Sequence, residues 1–119
     1  MTDAPQTAAR LAPPPSGTGC AECLASGSWW LHLRRCITCG HIGCCEVSPN
    51  HHAERHFELT GHRFVQSFEP HESWWWDYLE EREVDGEQLP EPTSHPASQS
   101  VPGPSGRVPA NWESIILDE

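Results

Sequence analysis

Two short turns, Cys20-Ala-Glu-Cys23 and Cys36-Ile-Thr-Cys39, each bring a pair of thiols within reach of one metal ion. A thiolate pair at this spacing supplies two sulfurs about 2.3 Å from a tetrahedral Zn²⁺ and leaves two positions to be filled from elsewhere in the chain. The residues that follow offer candidates: Cys44, Cys45, His51, His52, His56 and His62. A single CxxC is shared with redox proteins, but two of them followed by a cysteine and a ladder of histidines point to zinc. His52 and His56 lie four apart, on one face of a helix, so both rings can turn toward the cysteine loops. The spacing assigns Cys20, Cys23, Cys44 and His52 to a first site, and Cys36, Cys39, His56 and His62 to a second. Cys45 and His51 are the competing choices. Neighbouring side chains of an extended segment point to opposite faces, so only one of Cys44 and Cys45 can serve, and His51 lacks the four-residue relation to His56. Four protein ligands fill each shell and leave no position for water, which makes both ions structural rather than catalytic.

The elements that must position these ligands are short. Trp29 to Arg35 alternates, with Trp30, His32 and Arg34 on one side and Trp29, Leu31 and Leu33 on the other, the pattern of a strand. After the Cys36–Cys39 turn, His41-Ile42-Gly43 can return as its hairpin partner. Ser48-Pro49 reads as a helix start, with Ser48 as N-cap and Pro49 at the first helical position, and Gly61 as the stop, giving a helix over about 49–60. Two further strands are expected at Arg63 to Glu69 and Ser73 to Leu79, joined by a turn at Glu69-Pro70-His71. The fold class is therefore α+β: a short antiparallel sheet with one helix packed on it, cross-braced by two zinc sites.

Residues 1–19, rich in Ala, Pro, Thr and Gly, read as a disordered arm. Residues 20–87 form the domain, and 88–110, with six prolines among Ser, Gly and Thr, an extended linker that does not pack. Residues 111–119 end in an apolar cluster, Trp112, Ile115, Ile116 and Leu117, suited either to folding back on the domain or to serving as a short motif for another protein. The apolar fraction of 36% is below the roughly 45–50% of globular chains, so the core is small and metal must supplement it. The N-terminus has no apolar run that would mark a signal peptide, and no stretch approaches the roughly 18 apolar residues of a membrane span. A soluble protein of the reducing cytoplasm, where thiols remain free for metal, is expected. The formal charge is −10, from 17 acidic residues against seven arginines and no lysine, which argues against binding a phosphate backbone.

The motifs resemble the UBP-type zinc finger, the ubiquitin-binding module of some deubiquitinating enzymes and of a cytoplasmic histone deacetylase. The resemblance covers roughly Cys20 to Glu81. It rests on the first CxxC with Trp30 seven residues after its second cysteine, on Cys36-Ile-Thr-Cys39-Gly40-His41-Ile42-Gly43-Cys44, on His52-Ala53-Glu54-Arg55-His56 and on Thr60-Gly61-His62. It looks most like the compact, stand-alone bacterial form, with Cys-Cys-Glu-Val-Ser-Pro-Asn before the HAxxH stretch and Ser-Phe-Glu-Pro after the last ligand. The resemblance implies two structural zinc ions, a monomer and a pocket that accepts the free Gly-Gly terminus of ubiquitin or another protein C-terminus. Trp30, Trp76 and Tyr78 would form its aromatic wall, with Trp74 on the same face. The family's carboxylate-binding arginine would stand two residues after Cys44, where this chain has Glu46. Arg34, Arg55 or His51 is then the source of positive charge, and Asp77 and Glu81 would meet amide or amine groups of a peptide.

The leading function is thus a zinc-stabilised protein-interaction module without catalytic activity. One alternative is a redox or zinc-release sensor, in which oxidation of Cys45 disturbs the adjacent ligand Cys44. A thiol oxidoreductase working through a CxxC, or a zinc hydrolase, is the other, although His32, His41 and His71 have no evident catalytic partners once the ligands are assigned.

Overall fold

The computed structural model describes residues 13–86, 89 and 92–117. Five strands, β1 (Leu33–Cys36), β2 (Ile42–Cys44), β3 (Phe64–Ser67), β4 (Trp75–Asp77) and β5 (Arg82–Val84), form one sheet in the order β2-β1-β3-β4-β5. Every neighbouring pair is antiparallel. Helix α1 (Ala21–Ser26) precedes the sheet, α2 (His52–Thr60) links β2 to β3, a 3₁₀ turn covers Ala97–Gln99 and α3 (Trp112–Leu117) lies near the end.

The register places Val65 opposite both Cys36 and Trp76, so one sheet face carries Cys36, Val65 and Trp76. Helix α2 covers this face with Ala53 and Phe57, against Val65, Trp76 and Tyr78. Its approach to the sheet is close because β2 has Gly43 there: a Cβ on Gly43 would stand 2.7 Å from the Ala53 nitrogen and 2.8 Å from its Cα. A second cluster gathers Trp30, Leu33, Ile42 and Phe68 around Cys20, Cys23 and Cys44. Trp30, Leu33 and Ile42 are fully buried, each contributing about 1.5–3 kcal/mol of apolar transfer.

The expected order of strand, short strand, helix, strand and strand is present, with several differences. The first ladder covers Leu33–Cys36 rather than Trp29–Arg35, and Trp30 instead pairs with Gly103 in an isolated antiparallel bridge. Helix α2 begins at His52, not Pro49. Ser48 is no N-cap, because its hydroxyl accepts the Leu31 N–H at 2.8 Å. The N-cap is His51, in the left-handed region at φ 35°, with no side-chain cap. The stop at Gly61 is as expected, with its N–H on the Phe57 carbonyl. Helix α1 was not anticipated: Cys20 caps it by accepting the Cys23 N–H on its sulfur. Strand β5 was also missed, since Arg82-Glu83-Val84 lacks an apolar alternation.

The flanks are more ordered than their composition suggests. Pro13 accepts a bond from the Arg35 guanidinium at 3.0 Å, and Ser16 bonds Gly40 and Ile42. Order therefore begins before Cys20; residues 1–12 of the expected arm lie outside the described residues. Gly40, at φ 82°, would place a Cβ 2.1 Å from the Pro14 carbonyl oxygen, so only glycine admits this segment. The expectation that 88–110 does not pack is corrected for its described part. The buried Gln99 amide donates to the Phe68 carbonyl at 2.8 Å, Gly103 exchanges two backbone bonds with Trp30, and Arg107 donates to the carbonyls of Cys23 and Ser28. Single polar anchors, rather than an apolar pattern, hold this strap. None of the residues of α3 is buried. Among the described residues, no helix is long and apolar enough to cross a membrane.

Candidate metal centres and the adjoining cavity

Two sets of donor atoms converge, each within 4.8 Å: Cys20, Cys23, Cys44 and His52 in one, and Cys36, Cys39, His56 and His62 in the other. In the first, His52 Nδ1 lies 3.2, 3.3 and 3.5 Å from the sulfurs of Cys20, Cys23 and Cys44, and the last two sulfurs are 3.9 Å apart. In the second, Cys36 Sγ is 3.6 Å from His62 Nδ1 and Cys39 Sγ 3.3 Å from His56 Nε2. A tetrahedron with Zn–S near 2.3 Å and Zn–N near 2.0–2.1 Å has edges of about 3.8 Å between sulfurs and about 3.5 Å between sulfur and nitrogen. Both donor sets therefore fit a Zn²⁺ ion. The first set is more enclosed, with its three cysteines buried, whereas Cys39 of the second is exposed.

The electrostatics of the sulfurs lead to the same ion. Thiol hydrogen bonds from Cys23 and Cys44 draw the Cys20 pKa down, and bonding to Cys20 pushes the Cys44 thiol up. Sulfurs this close compete for negative charge, and a dication among them would let all three ionise. Backbone and side-chain donors turn toward the sulfurs as well: the His52 N–H to Cys44 at 3.1 Å and the Asn50 amide to Cys23 at 3.9 Å. Burial, with the nearby charges of His41 and His62, lowers His56 to about 4, so its ring stays neutral and able to ligate.

His41, for which the sequence offers no partner, has two. Its Nε2 sits 2.8 Å from both carboxylate oxygens of Glu22, and its ring stacks on His56 at 4.1 Å. Glu22 lies inside the first CxxC and His56 ligates in the second set, so this contact ties the two centres together and orients a ligand ring. Cys45 is fully buried with its sulfur 3.4 Å from the Ser48 hydroxyl, outside both sets, and His51 is outside them too.

On the helix-covered face, past the N-terminal end of α2, the Arg34 guanidinium stacks over Trp74 at 4.6 Å. Its Nη2 is 3.8 Å from Glu46, which also accepts the Tyr78 hydroxyl at 3.0 Å. Tyr78 stacks on Phe57 at 5.4 Å, and burial followed by the charge of Glu46 raises its phenol pKa. Trp76, Tyr78 and Phe57 line a cavity of about 500 Å³ whose other lining residues are Glu46, Glu54, Glu58 and Glu81.

Residues 20–89 match the family described as the Zn-finger in ubiquitin-hydrolases and other protein, zf-UBP. The chain belongs to the zf-UBP family. BRCA1-associated protein of Homo sapiens and that of Mus musculus are each 36% identical to it over 55 residues, 46% of this chain and 8% of either relative. The solution NMR structure of protein RPA1320 from Rhodopseudomonas palustris is 42% identical, with a TM-score of 0.62 over 75% of this chain and 93% of that one. In this zf-UBP domain the two donor sets each can hold a zinc ion.

The aromatic wall expected from the family is divided. Trp76 and Tyr78 share the cavity, but Trp30 is fully buried in the cluster around Cys20, Cys23 and Cys44 and is bridged by Gly103. Trp30 is a core residue here because the strap closes over it. Asp77 also moves out of the ligand-binding set: it is buried and accepts bonds from Nε and Nη2 of Arg63. The sequence missed Phe57, Glu54 and Glu58 as cavity residues, although Glu54, Phe57 and Glu58 recur at helical spacing beside the ligands His52 and His56.

Proposed function

We propose that this zf-UBP domain is a non-catalytic interaction module that takes the C-terminal end of a partner polypeptide on the face formed by Arg34, Trp74, Trp76 and Tyr78. The observation that carries this reading is the Arg34 guanidinium held over the Trp74 ring, 4.6 Å from its centroid, beside the cavity. A planar cation held on an aromatic face presents its nitrogens edge-on, the geometry that grips a carboxylate through two parallel bonds. Arg34 thereby supplies the charge that Glu46 withholds, from the neighbouring strand. Its contact with Glu46 is long at 3.8 Å, so a better-aligned terminal carboxylate can replace it. The zinc ions hold the frame and do no chemistry, since each donor set already offers four protein ligands. Of the alternatives, a sensor acting through Cys45 is disfavoured by the complete burial of that thiol, which keeps oxidants from it.

Titration of the zinc-loaded protein with ubiquitin, with ubiquitin lacking its last two glycines, and with free and C-terminally amidated peptides tests the reading through tryptophan fluorescence. Binding of a free C-terminus should weaken at least tenfold on amidation and on Arg34→Ala, the loss expected for a charge-assisted bond of about 1.5–3 kcal/mol. Equal affinity for free and amidated peptides would overturn it.

A further inference from the structure

The cavity beside Arg34 has the opposite charge. Its floor is aromatic: Phe57 and Tyr78 stack at 5.4 Å, and Trp76 packs against the same cluster. Its rim carries Glu46, Glu54, Glu58 and Glu81, and no arginine is among the residues that line it. Two of these carboxylates have neighbours, Glu46 with Arg34 and Tyr78, and Glu54 with His51 at 3.8 Å. Glu58 and Glu81 make no ion pair among the described residues. Aromatic faces are negative, and a cation over such a face within about 6 Å is attracted to it more strongly as water is removed. A concave aromatic floor ringed by four carboxylates is thus complementary to a cation on an apolar stem, and repels an anion. The volume, about 500 Å³, admits a whole lysine side chain.

We infer that the Glu46–Glu54–Phe57–Glu58–Trp76–Tyr78–Glu81 cavity binds the alkylammonium of a lysine side chain in the partner polypeptide. The tetramethylene stem lies along Phe57, Tyr78 and Trp76, and the ammonium reaches the carboxylates. None of these 119 residues is a lysine, so this stretch of sequence does not furnish that side chain, and the occupant assigned is a lysine of a separate partner polypeptide. The inference rests on reading this face as a peptide site; it adds a lysine upstream of the terminus, and it holds whether or not the terminus itself is gripped by Arg34. The face then reads two charges of opposite sign, an anion at Arg34 and a cation at the glutamates.

Synthetic peptides that end in Gly-Gly, carrying at each position from two to five residues before the end either lysine or norleucine, which keeps the four-carbon stem without the ammonium, each with a free or amidated terminus, separate the two claims. With the intact zinc-loaded protein, lysine should bind at least tenfold more tightly than norleucine at one of these positions. The advantage should shrink several-fold from 50 to 500 mM salt and in the Glu58→Gln/Glu81→Gln double variant, whose substitutions lie at the exposed rim and remove no metal ligand. Equal binding of lysine and norleucine peptides throughout, with an effect of amidation retained, would overturn the cavity assignment and leave the terminal grip standing. A lysine effect without an amidation effect would do the reverse. A lysine advantage that survives unchanged in the double variant would place the cation elsewhere and also overturn the assignment.

Discussion

Two buried carboxylates in this small domain are pushed in opposite directions by what surrounds them. Asp77 receives the Arg63 guanidinium and the Leu79 and Glu80 N–H groups, and its pKa falls to about 2, with the Arg63 bond the leading cause. Glu69 is buried with one backbone donor, the Leu33 N–H at 2.8 Å, and burial lifts it to about 7. His32 and His95 stand 4.0 Å from its two oxygens, and Glu72 and Arg34 act on it with opposite sign. Folding therefore tightens the proton on Glu69 relative to an unfolded value of 4.5. The native state binds the extra proton between about pH 4.5 and 7, so this group's contribution to stability falls as pH rises through that window. Glu69→Gln keeps an acceptor for Leu33 without a charge to bury. It should be more stable than the parent by about 2–3 kcal/mol at pH 8, with the gain largely gone near pH 5. Denaturant melts of the zinc-loaded proteins at both pH values check this; a gap of equal size at both would mean that packing, not ionisation, sets it.

The contact between α2 and β2 shows how much an element depends on one missing side chain. Because a Cβ at Gly43 would press on the backbone of Ala53, which cannot rotate away, Gly43→Ala should cost about 1–3 kcal/mol. Gly17→Ala, with nothing within 4 Å and no positive φ, should be near neutral, and paired thermal melts compare the two. Equal melting temperatures would show that the helix rides over β2 at no cost. The same elements mark what the sequence made legible. Ligand spacing and the strand-forming residues Phe64, Val65 and Phe68, bounded by Gly61 and Pro70, specify local geometry, so the metal sets and the central strands were readable. Trp30 was misplaced because its surroundings are set by Gly103, far along the chain, and nothing near Trp30 announces that contact. The strap and the Pro13–Ser16 segment were misread for a related reason. Their packing rests on a few long-range hydrogen bonds from Gln99, Arg107, Arg35 and Ser16, which leave no periodic trace. The Glu46 end of the cavity was legible as a departure from the family pattern; its neighbours on α2 became visible only once the helix turned them toward Tyr78.

The molecule as a whole has little apolar core beyond its two clusters, and structural zinc, at an apparent 10–16 kcal/mol per site, is comparable with the entire stability of a typical domain. Chelation should therefore abolish the near-ultraviolet signal of the buried tryptophans together with the sheet, in one transition; a chelated protein that kept both signals would refute this dependence. The ligands also interleave along the chain: one set spans Cys20 to His52 and the other Cys36 to His62, and the Glu22–His41–His56 contact runs between them. Neither set can close without folding the β1–β2 hairpin and α2 that the other requires. Binding of the first ion should meet the entropy of ordering most of the second site, so the second ion is expected to enter with higher affinity. The domain should accordingly respond to zinc supply as a two-ion switch. When zinc is scarce the chains should divide into empty and doubly loaded molecules with few holding one ion; native mass spectrometry at one zinc per chain checks this, and a dominant singly loaded population would refute it. Scarcity should then change how many folded copies exist, while each loaded copy keeps its whole fold.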